Sequence, residues 1–337
     1  MDTKKVLVTG GAGFLGSHLA EFLLNEGHEV VILDDLSGGY ENNIPKGANF
    51  IKGDIRDKKL VDSIMQDIDI VYHLAAKAAV VQSLFCPIEY AEVDYIGSLN
   101  LIVSAVNHKV KRFVFTSSMD RYGKQDKLPM TEDMLPKPED PYGVSKLMVE
   151  RILEIYYDLF GMEYVVLVPH NIYGPKQNLA DPYRNVIAIF MNRILQGKPP
   201  IIYGDGLQTR EFSYVDDVTP YIAKAGFASN VVGETINIGP DENPVTIKEL
   251  ADLVIDAMGF DGKPIHAEAR PKEVKHAYCS SAKARKLLGY KTATPLSLGL
   301  KKMAGWVKKM GPRPFKYRDS FEIESDKIPS TWRKKLL

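Results

Sequence analysis

The chain has 337 residues, 45% hydrophobic and 26% charged, with 43 Lys plus Arg matched by 43 Asp plus Glu. That length supports one large or two moderate domains around an apolar core, and the even charge excludes a global field that would draw nucleic acid or an anionic membrane. The two cysteines, Cys86 and Cys279, form no CxxC pair and lie far apart in sequence, so neither a zinc site nor a disulfide framework is suggested and no metal is expected.

Near the N-terminus, Lys5 to Thr9 reads as a strand, but Val6-Leu7-Val8 is far too short for a signal-peptide core, and no run approaches membrane-spanning length. A reducing, cytoplasmic setting is therefore expected. Phe14 to Asn25 comes next with helical periodicity, and Glu29 to Asp34 as a second strand. Ile68 to His73, Arg112 to Thr116 and Tyr164 to Val168 are further buried strands, with a helix predicted over Ala91 to Val106. This alternation predicts an α/β fold with a doubly wound parallel sheet. From about Pro169 the pattern changes, and Pro and Gly cluster at Tyr173-Gly174-Pro175 and Gly197-Lys198-Pro199-Pro200. The expected division is a sheet domain over 1–168, to which 214–240 returns, and a second, smaller α/β lobe from 169–213 and 241–310. The basic, Pro-containing extension 311–337 reads either as a docked segment or as a mobile end.

Thr9-Gly10-Gly11-Ala12-Gly13-Phe14-Leu15-Gly16 joins the first strand to the first helix. Gly10, Gly13 and Gly16 let the turn be tight, the backbone approach a pyrophosphate, and the helix lie close to its strand. The helix start at Phe14 and Leu15 then offers free N–H groups and the positive end of the helix dipole. Asp34, with Asp35 beside it, ends the second strand about 20 residues on, where a carboxylate holds the ribose hydroxyls of a dinucleotide and repels a 2′-phosphate. These features together predict binding of NAD in preference to NADP. Asp54, with Ile55 after it, stands beyond a third strand. It reads either as an adenine contact or as the N-cap of a helix over Lys58 to Gln66.

Asp140-Pro141-Tyr142-Gly143-Val144-Ser145-Lys146 has the marks of a helix start, with Asp140 as cap and Pro141 in the first turn. Tyr142 and Lys146 are then four residues apart on one face. A phenol is a weak base at neutral pH; a neighbouring ammonium and a cationic nicotinamide would lower its pKa. Ser117-Ser118 comes directly after the strand Phe113 to Thr116, at the edge where open α/β sheets bind ligands. Ser118, Tyr142 and Lys146 form the candidate catalytic set. His170 and His276 read as structural polar groups, since no metal spacing links the seven histidines.

These residues resemble the nucleotide-sugar epimerase and dehydratase branch of the extended short-chain dehydrogenase/reductases, a Rossmann-fold family. The likeness runs from about Lys5 to Gly305. It includes His73-Leu74-Ala75-Ala76, Asn171-Ile172-Tyr173-Gly174-Pro175, Gly204-Asp205-Gly206, Tyr214-Val215-Asp216-Asp217-Val218, Asn237-Ile238-Gly239 and Arg270-Pro271. The resemblance implies tightly held NAD, a nucleotide-sugar substrate and a homodimer built on a four-helix interface. It implies that Leu74, Ala75, Ala76 and Pro169 line the cofactor, that Asn171, Asn185, Arg210 and Arg270 hold the diphosphate, and that Tyr203 stacks on the base. Two guanidinium forks on a diphosphate suit its oxygens; Arg210 on its own also reads as half of a surface ion pair.

By the same resemblance the reaction begins with oxidation at sugar C4, and the fate of the 4-keto sugar distinguishes the enzymes. The dTDP-glucose dehydratases carry an Asp-Glu pair where this chain has Met119-Asp120, so the acid for the leaving hydroxyl is missing. The chain resembles the UDP-glucose and UDP-N-acetylglucosamine 4-epimerases, and a 4-epimerase is the expectation. Asp120 keeps open dehydration, decarboxylation or C5 chemistry, or else a bond to a sugar hydroxyl or to Arg121. Asp94, where Asn is usual, and Val168 are further departures. Ala277 falls at the position that gates the C2 substituent of the sugar, where a small residue admits an acetamido group. A non-catalytic nucleotide-binding protein is the reading from another class, against which the intact Ser118, Tyr142 and Lys146 argue.

Overall fold

In the computed structural model, which describes residues 2–337, the aliphatic run Lys5–Thr9 is β1 and leads through the glycine turn into α1, Phe14–Asn25. Strands β2 (Glu29–Asp34), β3 (Asn49–Lys52), β4 (Ile70–His73), β5 (Arg112–Thr116), β6 (Glu163–Pro169) and β7 (Glu234–Ile238) complete one seven-stranded sheet in the order β7-β6-β5-β4-β1-β2-β3. Every pairing is parallel, with Val6 opposite both Val30 of β2 and Ile70 of β4. The sheet is covered on both faces, which is why its strands carry near-continuous hydrophobic runs. Alternation sorts them: Val6 and Val8 face a core with Leu19 and Leu23 of α1, whereas Leu7 faces a core with Leu101, Val149 and Leu153. The winding reverses between β1 and β4, and the carboxyl edge at that switch point is where such sheets bind ligands.

Two helices matter most for the site. The predicted helix over 91–106 is interrupted: a π-helical stretch, Ala91–Gly97, precedes α2, Ser98–Asn107. Tight packing accompanies the change, since a Cβ on Gly97 would stand 2.6 Å from Ile55 Cγ1. Ser98 donates its hydroxyl to the Asp94 carbonyl at 2.6 Å, and the Asp94 carboxylate is turned to the Lys77 amide. Helix α3, Pro141–Phe160, starts as its sequence predicts: the Asp140 carboxylate accepts from the Gly143 amide at 2.9 Å, and Pro141 occupies the first turn.

A separate core, with Ile187, Phe190, Leu250, Val254, Leu300 and Met303, packs three further helices, Val186–Leu195, Ile247–Met258 and Leu296–Met310. The C-terminal residues are docked: Ile328, Trp332 and Leu337 are buried against Phe85 and Ile201. Among the described residues, no helix is long and apolar enough to cross a membrane.

Candidate active site

A cavity of about 700 Å³ opens along the carboxyl edge of the sheet. Its first end is backbone. Gly10 has a left-handed φ of 71° and donates its amide to Leu33 at 2.9 Å. A Cβ on Gly10 would stand 2.8 Å from the Ala75 nitrogen, and one on Gly16 only 2.1 Å from the Gly10 oxygen, so both positions exclude any side chain. The start of α1 at Phe14 and Leu15 faces the cavity, with Gly13 ahead of it. Asp34 lies at the same end, its carboxylate accepting from the Ala12 amide at 3.0 Å and the Leu36 amide at 2.8 Å. Burial raises its pKa, and those two amides pull it back. Leu74, Ala75 and Ala76 line the opposite wall, where Thr9 Oγ1 accepts from the Leu74 and Ala75 amides at 3.2 Å each.

Asp35, Asp54, Ile55 and Pro169 also line the cavity. Asp54 is not a helix cap: Asp57 caps the helix Lys58–Ile64, accepting from the Lys59 and Leu60 amides. Asp54 instead holds Arg56 at 2.6 Å, and that bond lowers its pKa.

At the middle of the cavity, side chains converge from separate elements. Ser118 lies just beyond β5, and its hydroxyl donates to Asp120 Oδ2 at 2.7 Å. Tyr142 and Lys146 come from the first turns of α3. Lys146 Nζ donates to the Thr116 carbonyl at 3.0 Å and lies 5.7 Å from the Tyr142 ring centre. Burial lowers the Lys146 pKa to about 8, against the pull of Asp94 and Glu150. The Tyr142 phenol is not poised as a phenolate by Lys146 alone. Burial drives its pKa up, and Asp120 and Asp94 add to the rise; the neighbouring Ser118 hydroxyl and the Arg184 charge oppose it. Asp120 does not pair with Arg121, because Arg121 turns into the core and binds Glu150 at 2.7 Å. Burial raises Asp120, and it raises Asp140 to about 7, with the Asp120 charge as second cause.

The second end is cationic. Glu273 gathers both arginines of the resemblance, at 2.6 Å from Arg270 and 4.0 Å from Arg210. Arg270 stands 4.8 Å over the Tyr203 ring. Arg210 is otherwise held by the Val274 carbonyl at 2.7 Å, and is no surface pair. Asn171 donates to the Glu211 carbonyl at 2.9 Å, and Asn185 adopts a left-handed φ of 64°; both face the cavity. Ala277 lines it as well, paired in register with Arg210, whereas the adjacent Tyr278 does not. His170 is fully buried against the Pro240 carbonyl and His276 bonds Thr209, so neither enters the reacting centre.

Several residues in or behind the cavity carry no motif. Behind its wall, buried Glu150 continues the four-residue spacing of Tyr142 and Lys146 and accepts from the Ser117 hydroxyl, a relation visible in the sequence once α3 is placed. Arg184 sits one residue before Asn185. Lys316, Arg318, Trp332 and Leu337 reach the cavity from the C-terminal segment, for which no local signal exists.

Comparison with known proteins places this architecture. The model of a family described as the NAD dependent epimerase/dehydratase family matches residues 6–239. A putative UDP-glucose 4-epimerase of Methanocaldococcus jannaschii is 38% identical over 308 residues, which are 90% of this chain and 98% of that protein. The crystal structure of UDP-glucose 4-epimerase with UDP-glucose from Thermotoga maritima superimposes with a TM-score of 0.87 at 34% identity, covering 91% of this chain and 99% of its own. A UDP-N-acetylglucosamine 4-epimerase from Methanobrevibacter ruminantium, solved with UDP-N-acetylmuramic acid, gives 0.86 at 30% identity over 92% of this chain and 100% of its own. With the glycine turn, the Ser118-Tyr142-Lys146 cluster and these matches in agreement, the chain belongs to the NAD-dependent epimerase/dehydratase family.

Proposed function

We propose that the chain is a UDP-sugar 4-epimerase that works through a transient 4-keto sugar. The observation that carries this reading is the convergence of Ser118, Tyr142 and Lys146 between a dinucleotide-shaped turn and a pair of clamped arginines. The first end of the cavity fits NAD on its own geometry. Gly10 and Gly16 let the turn close tightly, since a Cβ on either would strike the backbone of Ala75 or Gly10, which leaves the start of the helix Phe14–Asn25 open to a pyrophosphate, and Asp34 offers a buried carboxylate for ribose hydroxyls. Gly13, Phe14, Leu15, Asp35, Asp54, Ile55, Leu74, Ala75, Ala76 and Pro169 would complete that site. NAD bound there would supply the hydride acceptor and a positive charge that favours ionisation of the phenol.

The chain's own groups do the rest. Tyr142 takes the proton from the sugar O4 as C4 becomes a ketone, and returns it after the sugar has turned over. Ser118 hydrogen-bonds the same oxygen, leaving Asp120 to do so. Lys146 holds positive charge under the ring and offsets the carboxylates that resist ionisation of the phenol. Arg210, Arg270, Asn171 and Asn185 hold the diphosphate at the far end, Tyr203 takes the base, and Ala277 leaves space beside C2.

A second reading, proton chemistry at C5, draws on one observation: the Asp120 carboxyl is held near the reacting centre with a raised pKa. Met119 offers no acid beside it; its sulfur faces the Asn171 amide at 3.8 Å. Exposed Val144, Met148 and Ile155 lie along one face of α3, near exposed Ile96, and support a homodimer through these helices. Two free cysteines, Cys86 and Cys279, suit a reducing cytoplasm. The deciding experiment is NMR of the products from UDP-, dTDP-, GDP- and CDP-sugars. A C4 epimer of a UDP-sugar is expected; a dehydrated or decarboxylated product, or none, overturns the reading.

A further inference from the structure

Beyond the helix Leu296–Met310 the chain turns back over the cavity, tied to both of its banks. On one bank Arg313 exchanges two hydrogen bonds with the Asn192 side chain, at 2.8 and 2.9 Å, and the Arg318 amide donates to Tyr183 at 2.8 Å. On the other the Glu322 carboxylate accepts from the Ile88 and Glu89 amides at 2.8 Å each. Phe321 packs against the cluster of Cys86, Tyr90 and Tyr142, and Trp332 meets the Tyr183 ring edge-on at 4.9 Å. The solved relatives leave about a tenth of this chain uncovered while matching nearly all of their own, a share similar in size to residues 311–337.

One contact joins this segment to the cationic end of the cavity. Thr331, only 3% exposed, has its hydroxyl 2.6 Å from the Tyr203 hydroxyl. The far end of the Tyr203 ring is thereby fixed, while Arg270 stands over its face. A ring held in place before a ligand arrives loses less freedom on binding. We infer that Thr331 is a positioning residue for the nucleotide: the C-terminal segment is a wall of the nucleotide subsite, and its hydroxyl sets the orientation of the Tyr203 ring toward a planar base. This rests on the reading of the cavity as a nucleotide-sugar site.

The test uses the full chain and UDP itself as probe. Thr331→Val removes the hydroxyl at nearly constant volume, and Thr331→Ser restores it. Losing one buried hydrogen bond should weaken UDP binding in Thr331→Val by roughly three- to tenfold. KM should rise by the same factor, kcat should change less than twofold, and bound NAD should stay at the wild-type level. Thr331→Ser should behave as wild type. Tyr203→Phe should weaken UDP similarly, and the double variant Thr331→Val/Tyr203→Phe no further, because both changes break one contact. Unchanged UDP affinity in Thr331→Val, failure of Thr331→Ser to rescue, or fully additive losses would each overturn the inference. A wild-type protein that binds UDP with this Thr331 dependence but makes no C4 epimer would overturn the epimerase reading alone. A 4-epimerase indifferent to Thr331→Val would overturn this inference alone.

Discussion

The two ends of the cavity are built from different material. The dinucleotide end is backbone geometry written in one continuous stretch, β1 to β2, where two glycines exclude every side chain and Asp34 is anchored by two amides. The reacting centre and the sugar end beyond it are assembled from side chains that lie far apart in sequence, and at the reacting centre burial pushes charges toward neutrality: Asp140 up to about 7, Lys146 down to about 8. The glycine turn and Asp34 are set by local sequence, and the sheet brings Leu74, Ala75, Ala76 and Pro169 up to them. The reacting cluster depends on everything packed around it, including Phe321 of the C-terminal segment, which packs against Cys86, Tyr90 and Tyr142.

The largest expected effect separates the ends outright. Tyr142→Phe should lower kcat by about 10²–10⁴, while NAD content and UDP affinity stay within about twofold. Residual turnover above a few per cent would assign the proton transfer to another group. At the other end, wild type should bind NAD well in preference to NADP, and Asp34→Ala should weaken NAD by roughly tenfold or more, the loss of charge-assisted bonds being about 1.5–3 kcal/mol. Equal binding of both dinucleotides by wild type would remove Asp34 from the ribose.

Finer differences lie within the sugar end. Ala277→Tyr should selectively cut turnover of UDP-N-acetylglucosamine, by about tenfold or more, since overpacking a defined pocket costs about 1–3 kcal/mol. Equal loss with UDP-glucose, or none with either, would show that Ala277 is not the gate. The smallest effect is one of stability. Asp94 titrates near 7 in the fold against an ordinary 3.8, because burial disfavours its charge. The folded chain therefore binds that proton more tightly than the unfolded chain, and the associated stability is lost as pH rises through this window. Between pH 5 and pH 8 the thermal midpoint of wild type should change less favourably, by a few degrees, than that of Asp94→Asn; parallel curves would remove Asp94 as a source of this pH dependence.

Legibility in the sequence divides along the same line. The bounds of β1, α1 and β2 agree with their periodicity, because hydrophobic alternation and glycine punctuation are local signals. Asp140 and Pro141 mark the start of α3 for the same reason. Asp54 is ambiguous in the sequence because two aspartates precede one helix, and only the backbone shows that Asp57 is the one within reach of its amides. The break at Ala91–Gly97 has no propensity signature; it accompanies close packing of Gly97 on Ile55. Adjacency in sequence suggests Asp120 as the partner of Arg121, yet the true partner, Glu150, is distant in sequence and adjacent only after folding. The charge state of Tyr142 cannot be read from Lys146 alone, since burial and the approach of Asp120 and Asp94 are tertiary facts. Docking of residues 311–337 depends on aromatic contacts with Phe85 and Tyr183 that no motif announces.

The central claim is that oxidation and reduction occur at C4 alone, within one closed cycle. UDP-glucose turned over in D₂O, with NMR of the product, tests it most directly. The account predicts the C4 epimer with no solvent deuterium on any ring carbon, because the hydrogen removed from C4 returns to C4 and Asp120 removes none from C5. Deuterium at C5 would contradict it and assign Asp120 or a neighbour to proton removal there; deuterium at C4 would show that the hydrogen leaves the protein between the two steps.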